Sequence, residues 1–346
     1  MSGIVRAAQT TLSQNLGGVA HDLAPNDAKF SLDDVPDQSN KVALVTGGSE
    51  GIGYAVVHTL LSKNIAKVFI LSLSQQPIKD AVQAIKEDLG ENVADRVVWK
   101  QCDVGDWKRA TEVAQEVQKE TDRLDVLVCN AGRGIMTFEQ LDNGVERHMG
   151  VNHIGHVVLT SHLLPLLKKT AEHSTVRISN QASNAHEQAP KDTHFRDLEE
   201  LNQDLGPLAL YGRSKLAVIL YSRYLTRHLH TAHPNILINA THPGVVETTM
   251  STRDILEPYP IAGHLMKDVM APFKKDQFQG ALPTLYAISA TTKSGEYICP
   301  PADPEPGSAL AQDDQLGEQL MKMTREIVTE KTRMESVDKG CPMQDY

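Results

Sequence analysis

Short apolar runs alternate with longer amphipathic stretches from Lys41 to about residue 243. Continuous apolar runs of four or five residues, bounded by turn residues, predict strands buried on both faces. They are Val42–Thr46, Val68–Leu71, Val97–Gln101, Val126–Cys129, Val176–Ser179 and Ile236–Ala240. The stretches between them carry apolar residues at helical spacing and predict helices Gly51–Ser62, Ile78–Asp88, Trp107–Glu120, Gly144–Lys169 and Tyr211–His230. Strict alternation of strands and helices predicts a single α/β domain with a doubly wound parallel sheet.

The two ends of the chain depart from this rhythm. Residues 1–40 are expected to form an N-terminal extension, in which the polar stretch 25–40 is a linker into a domain spanning 41–300. The apolar residues at 249–275 suit either a lid over the substrate or helices that pack at the domain edge. Residues 301–346 are expected to form a C-terminal extension, with an irregular linker at 300–310, a helix at about 313–332 and a disordered tail.

Composition narrows the class of protein. The 346 residues are 40% hydrophobic and 23% charged, which is typical of a globular chain and excludes disordered, collagenous and coiled-coil proteins. With 34 Lys and Arg against 44 Asp and Glu, the net charge of −10 argues against nucleic acid as a partner. No run of 18 apolar residues predicts a membrane span. The four cysteines lack C-x-x-C spacing, so we expect no metal site and a reducing compartment.

The first 20 residues bear on localisation. They contain one Arg and no acidic residue, with Ile4, Ala8, Leu12 and Leu16 at helical spacing. Mitochondrial transit peptides are richer in arginine, and secretory signals need a continuous apolar core. We therefore expect a cytoplasmic protein with a surface extension, and keep a mitochondrial address as the alternative.

A glycine cluster joins the first predicted strand to the first predicted helix. Thr46-Gly47-Gly48-Ser49-Glu50-Gly51-Ile52-Gly53 has the spacing G-x-x-x-G-x-G. Glycines at such a turn let the backbone approach a pyrophosphate, which binds at the positive end of the helix. An ordinary turn is the alternative, but the position between strand and helix favours a dinucleotide site in a Rossmann-type fold.

Further polar or turn residues follow other predicted strands. Asp103 follows the third strand, where its carboxylate can accept a hydrogen bond from an adenine amino group. Asn130-Ala131-Gly132 follows the fourth strand, and Pro243-Gly244 follows the sixth, with the Thr248 hydroxyl suited to hold a carboxamide. Because parallel strands end at one edge of a sheet, these residues predict one ligand site there.

Tyr211-Gly212-Arg213-Ser214-Lys215 is the candidate catalytic segment. Residues i and i+4 share one face of a helix, so the Lys215 ammonium can lie near the Tyr211 hydroxyl and favour its phenolate. Ser183 follows the fifth strand and can donate a hydrogen bond to a substrate oxygen, although it equally suits a helix cap.

These motifs together resemble the short-chain dehydrogenase/reductase family in order and approximate spacing. The resemblance covers about Lys41 to Pro300. It rests on Thr46–Gly53, Asn130–Gly132, Asn152, Ser183, Tyr211 with Lys215, and Pro243-Gly244. The segments Val151–His156 and Gly295–Pro300 resemble the retinol-dehydrogenase-like branch, and Phe30–Val35 resembles its fungal members.

The resemblance implies a role for each matching residue. Tyr211 would be the general acid and base, Lys215 would lower its pKa and bind the nicotinamide ribose, Ser183 would polarise the carbonyl, and Asn152 would anchor a proton-relaying water. The expected cofactor-binding residues are Gly47, Ser49, Glu50, Gly51, Ile52, Gly53, Ser72, Asp103, Asn130, Ala131, Gly132, Tyr211, Lys215, Pro243, Gly244, Val246 and Thr248.

Two departures from the family pattern bear on catalysis and cofactor choice. Ala182-Ser183 replaces paired serines and keeps the second, catalytic position. The second strand ends in Ser72-Leu73-Ser74, without the acidic residue that holds an NAD ribose or the arginine that pairs with an NADP phosphate. The serine hydroxyls can still bind a phosphate, so NADP(H) is slightly favoured and NAD(H) remains open.

The resulting expectation is an NAD(P)-dependent oxidoreductase that interconverts a small hydrophobic ketone or aldehyde and its alcohol, with a place in secondary metabolism. C=C reduction of an enone on the same scaffold is one alternative. A non-catalytic dinucleotide sensor is another alternative. A sensor would be expected to have lost some of the four catalytic residues, whereas all four are present in this sequence. The family also implies a homodimer formed through helices Gly144–Lys169 and Tyr211–His230.

Overall fold

An eight-stranded sheet forms the centre of the fold. The computed structural model describes residues 9–14, 23–246 and 275–332. The strand order is β3-β2-β1-β4-β5-β6-β7-β8; the first seven strands are parallel and β8 is antiparallel to β7. The strands are β1 Val42–Thr46, β2 Lys67–Ser72, β3 Val97–Gln101, β4 Val126–Cys129, β5 Val176–Gln181, β6 Ile236–Thr241, β7 Tyr297–Cys299 and β8 Asp303–Glu305. The predicted doubly wound parallel sheet is confirmed.

Helices cover both faces of this sheet. They are α1 Gly51–Ser62, α2 Gln75–Leu89, α3 Glu91–Ala94, α4 Trp107–Glu120, α5 Gly155–Ala171, α6 Leu198–Leu201, α7 Pro207–Leu229, α8 Gln277–Ser289 and α9 Asp314–Thr332. Helices α1, α2 and α8 contribute to the core on one face, and α4, α5, α7 and α9 to the core on the other. Within the described residues, no helix combines the length and the apolar character needed to cross a bilayer.

Strand β1 shows why the predicted strands are continuous apolar runs. Val42 and Leu44 belong to one core, whereas Ala43 and Val45 belong to the other. Successive side chains of a strand point to opposite faces, so a strand covered on both sides needs apolar residues throughout. Between β1 and β4 the strand order reverses, which opens a crevice at the carboxyl ends of these two strands.

Three predicted helices differ in detail from the structure, and the first is α2, which begins at Gln75, three residues before its predicted start at Ile78. Helix α7 begins at Pro207, four residues before the predicted start, because proline is well suited to the first position of a helix. The predicted helix Gly144–Lys169 starts too early, because helical structure begins only at Arg147, and it contains a π-helical turn at Met149–Ile154 before α5 begins. Such turns often occur at functional sites, and this one carries Asn152.

The sequence analysis missed helix α8 and strands β7 and β8, whereas the helix predicted at about 313–332 is confirmed as α9. Helix α8 buries Ala281, Leu285 and Ile288, a helical spacing that was available in the sequence. The predicted irregular linker at 300–310 is wrong in part, because Asp303–Glu305 form β8 against β7. A three-residue strand containing a proline carries too little local pattern to be recognised. The polar stretch 25–40 likewise buries Phe30, whose ring packs edge-on against Tyr286 at 5.3 Å between centroids.

Helix α9 packs against α7. This contact concerns the expected homodimer, because α7 corresponds to one of the two helices through which the dimer was expected to form. Its apolar face contributes Leu316, Leu320, Met321, Met323, Ile327 and Val328 to the core. Asp314 at its start contacts Arg223 at 3.0 Å and Arg227 at 2.6 Å, and Thr324 contacts His153 at 3.0 Å. The same chain thus covers part of α7, one of the two helices named in the dimer expectation.

We therefore expect the full chain to be monomeric, with a mass near 38.0 kDa by light scattering. Leu320→Asp, which places a charge in the α7–α9 contact, should detach α9 and produce dimers or larger species. The matched variant is Leu208→Asp at an exposed position of α7, which should stay monomeric. A stable dimer formed by the unmodified chain would contradict this expectation.

Candidate active site

The turn from β1 into α1 is built around two glycines. Gly47 has φ +64°, a conformation that side chains other than glycine rarely adopt. A Cβ on Gly53 would lie 2.2 Å from the Gly47 carbonyl oxygen and 2.6 Å from Asn130 Nδ2. The helix can approach the turn this closely only because Gly53 has no side chain, which leaves the amino end of α1 facing the crevice.

Thr46 joins this turn to the loop after β4, a role that the sequence analysis did not assign. Its Oγ1 accepts hydrogen bonds from the backbone N–H groups of Asn130 and Ala131, both at 2.9 Å. Asn130 Nδ2 in turn donates to the carbonyl oxygens of Thr46 at 3.0 Å and Gly47 at 3.3 Å. A polar residue at the end of an otherwise apolar strand was the available signal.

The residues expected to contact the adenosine half of a dinucleotide lie around the same turn. Ser49 is buried, while Glu50 is exposed and precedes α1 without a side-chain cap. Ser72 ends β2, and its Oγ accepts a hydrogen bond from Trp99 Nε1 at 3.0 Å. Asp103 Oδ1 accepts from the Gly105 N–H at 2.8 Å, so this carboxylate also stabilises its own turn. Gly51 and Ile52 form the first turn of α1.

The π-helical turn brings Asn152 to the loop after β4. Asn152 Oδ1 accepts from the Arg133 N–H at 2.7 Å, and Nδ2 donates to the Arg133 carbonyl at 3.0 Å and to Ser214 Oγ at 2.9 Å. A Cβ at Gly132 would lie 3.0 Å from Asn152 Oδ1 and 3.7 Å from Lys215 Nζ. The predicted residues Gly132, Asn152 and Lys215 therefore meet at one point of the crevice.

Lys215 is buried and is held independently of Tyr211. Its Nζ donates to the Gln181 carbonyl at 2.8 Å and lies 5.5 Å from the centroid of the Tyr211 ring. Burial lowers the pKa of Lys215 to about 8, so the ammonium persists at neutral pH. Burial also lowers the pKa of the nearby His156 to about 4 and that of His242 to about 3, which leaves both rings neutral.

Ser183 lies just beyond the end of β5 and caps the 3-10 turn Asn184–Gln188. Its Oγ accepts from the Ala185 N–H at 3.1 Å. The same hydroxyl donates to Asn184 Oδ1 across a long contact of 3.4 Å, and rotation of the hydroxyl would direct its hydrogen to a substrate oxygen instead. The capping alternative and the proposed catalytic role are thus compatible.

The loop after β6 forms the last part of the site within the described residues. Gly244 follows Pro243 with φ +80°, and Val246 is buried and pairs with Lys275 in an isolated bridge. Lys275 Nζ donates to the Ser13 carbonyl at 2.6 Å, which brings residues 9–14 to this edge. Thr248 and the predicted lid at 249–275, except for Lys275, lie outside the described residues.

A cleft of about 660 Å³ lies on the side of β7 and β8, and Asn184, the residue after Ser183, is among its lining residues. His242 and Tyr297 also line it, together with three carboxylates. These acidic residues are Glu187, Asp303 and Glu305. Their charge makes the described part of this cleft unfavourable for anions.

Comparison with known proteins identifies the family. Residues 41–190 match the family described as short chain dehydrogenase. The oxidoreductase bli-4 of Neurospora crassa, which is labelled mitochondrial, is 53% identical over 340 residues, covering 96% of this chain and 82% of the relative. The chain belongs to the short-chain dehydrogenase family.

Two more similarities to this short-chain dehydrogenase define its branch and its fold. Retinol dehydrogenase 14 of Mus musculus is 32% identical over 262 residues, covering 74% of this chain and 75% of the relative, in keeping with the predicted branch. RhlG of Pseudomonas aeruginosa, solved as an NADP active-site complex, superposes with a TM-score of 0.58. Its identity is 24%, over 76% of this chain and 95% of that one, and it shares the fold.

Proposed function

We propose that this short-chain dehydrogenase is an NAD(P)-dependent oxidoreductase that interconverts an uncharged hydrophobic ketone or aldehyde and its alcohol. The observation that carries the proposal is the meeting of Tyr211, Lys215, Asn152 and Gly132 in the crevice where the β1–α1 glycine turn also ends. The glycine turn suits a dinucleotide that transfers a hydride, and the Tyr211 phenol beside the Lys215 ammonium suits the proton transfer that accompanies it.

The glycine turn fits a dinucleotide on structural grounds. The gap between Gly53 and Gly47 would be filled by any side chain, and the free N–H groups of a helix start attract a phosphate. Gly47, Gly51, Ile52 and Gly53 would hold the pyrophosphate, while Lys215 would hold the nicotinamide ribose. A nicotinamide, when bound, supplies or accepts the hydride.

The chain's own residues manage the proton. In reduction, the Tyr211 hydroxyl donates its proton to the carbonyl oxygen as negative charge develops there, and the Ser183 hydroxyl donates a hydrogen bond to the same oxygen. The Lys215 ammonium, fixed by the Gln181 carbonyl, stabilises the resulting phenolate. Asn152 holds the loop at Arg133 and would anchor a water that returns a proton from solvent.

The substrate class follows from both the resemblance and the cleft. The retinol-dehydrogenase-like branch supports a hydrophobic substrate. The carboxylates Glu187, Asp303 and Glu305 support an uncharged one, because a carboxylate or phosphate on the substrate would be repelled.

Spectrophotometric assays test this function. Oxidation of NADPH and NADH is followed with matched ketones, aldehydes and enones, each with and without a carboxylate. We expect turnover of uncharged ketones or aldehydes. Turnover of enones alone would support C=C reduction instead, and cofactor binding without any turnover would support the sensor alternative.

We expect both cofactors to bind, with NADPH tighter by less than about tenfold. The residues at the end of β2 and just after it, Ser72, Leu73 and Ser74, carry no charge that would select for or against a ribose phosphate. Titration calorimetry checks this, and a hundredfold preference would contradict it. Ser74→Arg is the matched variant: an arginine can pair with the phosphate, so it should strengthen NADPH binding and leave NADH binding unchanged.

For the compartment, the mitochondrial label of the Neurospora crassa relative supports the mitochondrial alternative over the cytoplasmic expectation. Imaging of the chain with a tag at its carboxyl end distinguishes the two.

A further inference from the structure

A buried carboxylate and a buried imidazole meet beside the proposed catalytic tyrosine. Glu146 and His148 are both fully buried. Glu146 Oε1 accepts from the His148 N–H at 2.8 Å, and Oε2 accepts from the Met149 N–H at 3.0 Å. Arg213 Nη2 lies 3.9 Å from Oε2. These donors suit a carboxylate, which only accepts hydrogen bonds, better than a carboxylic acid.

Both ring nitrogens of His148 face acceptors. Nδ1 lies 2.6 Å from Glu146 Oε1, and Nε2 lies 2.9 Å from the Gly134 carbonyl oxygen. A neutral imidazole has only one N–H and can satisfy only one of them. Both contacts are hydrogen bonds only when both nitrogens carry hydrogen, which makes the ring a cation.

The His148 ring contacts the catalytic region at two places. Its centroid lies 6.4 Å from that of the Tyr211 ring, with 64° between the planes. Its hydrogen bond to the Gly134 carbonyl holds the loop after β4. Asn152 holds the same loop one residue earlier, at Arg133. The loop and the tyrosine are therefore tied to the same side chain.

The charged and titratable groups around Tyr211 come from three elements. Lys215 lies on its own helix α7, His148 precedes the π-helical turn, and Tyr297 on β7 interacts with it electrostatically. Around His148 stand Glu146 and, beyond it, Arg213. Arg213 also faces the Glu200 carboxylate, so two carboxylates stand against two cations, and loss of the His148 charge would leave an excess of negative charge beside Tyr211.

We propose that His148 is a positioning residue: its charged ring, fixed by Glu146, orients Tyr211 and the Gly134 loop and favours the Tyr211 phenolate. This rests on the proposed function, in which Tyr211 exchanges the proton. Removing the charge makes the tyrosine a weaker acid, so alcohol oxidation, which needs the phenolate, should require a higher pH.

His148→Gln in the full-length chain tests the proposal, because glutamine can still donate to Gly134 but carries no charge. The alkaline rise of kcat for alcohol oxidation should move up by about one pH unit, a tenfold loss of phenolate at a given pH. Cofactor affinity should stay within about twofold. Glu146→Gln removes the carboxylate that fixes the His148 charge, so it should move the profile in the same direction but by less, because a negative charge is lost together with the positive one.

His153→Gln is the matched control. His153 is also buried, but it contacts Thr324 and packs on Tyr221 rather than Tyr211, and burial lowers its pKa to about 3. Its pH profile should overlay that of the unmodified chain. If His148→Gln lowers the rate equally at every pH, the role is merely structural and the proposal is overturned.

Nitrogen NMR of histidine-labelled protein gives a readout independent of activity. The signal lost in His148→Gln, or in His148→Asn if the glutamine variant does not fold, should show both nitrogens protonated at neutral pH, and a singly protonated ring would overturn the proposal. If Tyr211→Phe retains normal turnover, the proposed function fails and this inference falls with it. If Tyr211→Phe is inactive but the His148→Gln profile does not move, only this inference fails.

Discussion

Replacement of Tyr211 by phenylalanine should lower the rate of carbonyl reduction by about 10²–10⁴-fold, the usual loss when a general acid is removed. The phenyl ring keeps the contact with the His148 ring, and Lys215 keeps its bond to the Gln181 carbonyl, which does not involve the tyrosine hydroxyl. Cofactor affinity and thermal stability should therefore change little. Single-turnover reduction rates and cofactor titration by fluorescence measure the two quantities separately.

Tyr286→Phe controls for the loss of a tyrosine hydroxyl as such. Tyr286 lies on α8, where its ring packs against Phe30, and its replacement should leave turnover unchanged. Near-normal carbonyl reduction by Tyr211→Phe would show that the assigned acid is wrong. Retention of enone reduction with loss of carbonyl reduction would instead favour the alternative chemistry.

The central sheet could be predicted because its local pattern and its tertiary environment agree. Strands β1, β3 and β4 and helices α1 and α4 have the predicted bounds. Strands β1 and β4 are buried along their whole length because helices cover both faces of the sheet. The strand-end motifs could be predicted to converge for a related reason, since parallel strands bring their carboxyl ends to one edge.

The features that escaped prediction depend on contacts between distant segments. Strand β8 forms because Asp303–Glu305 pair with β7. Three residues that include a proline have no periodicity from which a strand could be predicted. Glu146 and His148 resemble surface residues in sequence, and only the fold shows them buried against Gly134 and Arg213. The coverage of α7 by α9 likewise depends on packing across about 90 residues of chain.

The second prediction with a large effect concerns Gly53 in the glycine turn. Replacing it by alanine should destabilise the protein, although alanine is usually preferred to glycine inside a helix. Alanine in place of glycine inside a helix normally stabilises it by about 1 kcal/mol. At Gly53 the added Cβ would meet the Gly47 carbonyl oxygen at 2.2 Å and Asn130 Nδ2 at 2.6 Å, and both atoms are fixed by the link between β1 and β4. Gly53→Ala should therefore destabilise the chain by about 1–3 kcal/mol, as overpacking does elsewhere.

The same displacement should weaken dinucleotide binding by at least about tenfold, because α1 can no longer present its amino end at the turn. Denaturant titration measures the stability, and calorimetry of cofactor binding measures the affinity. Gly317→Ala in α9 is the matched substitution: its Cβ would meet neighbours only at ordinary contact distances of 3.6 Å or more, so it should stabilise the chain and leave cofactor binding intact. If Gly53→Ala bound cofactor normally, the close approach of α1 to Gly47 would not be what forms the site.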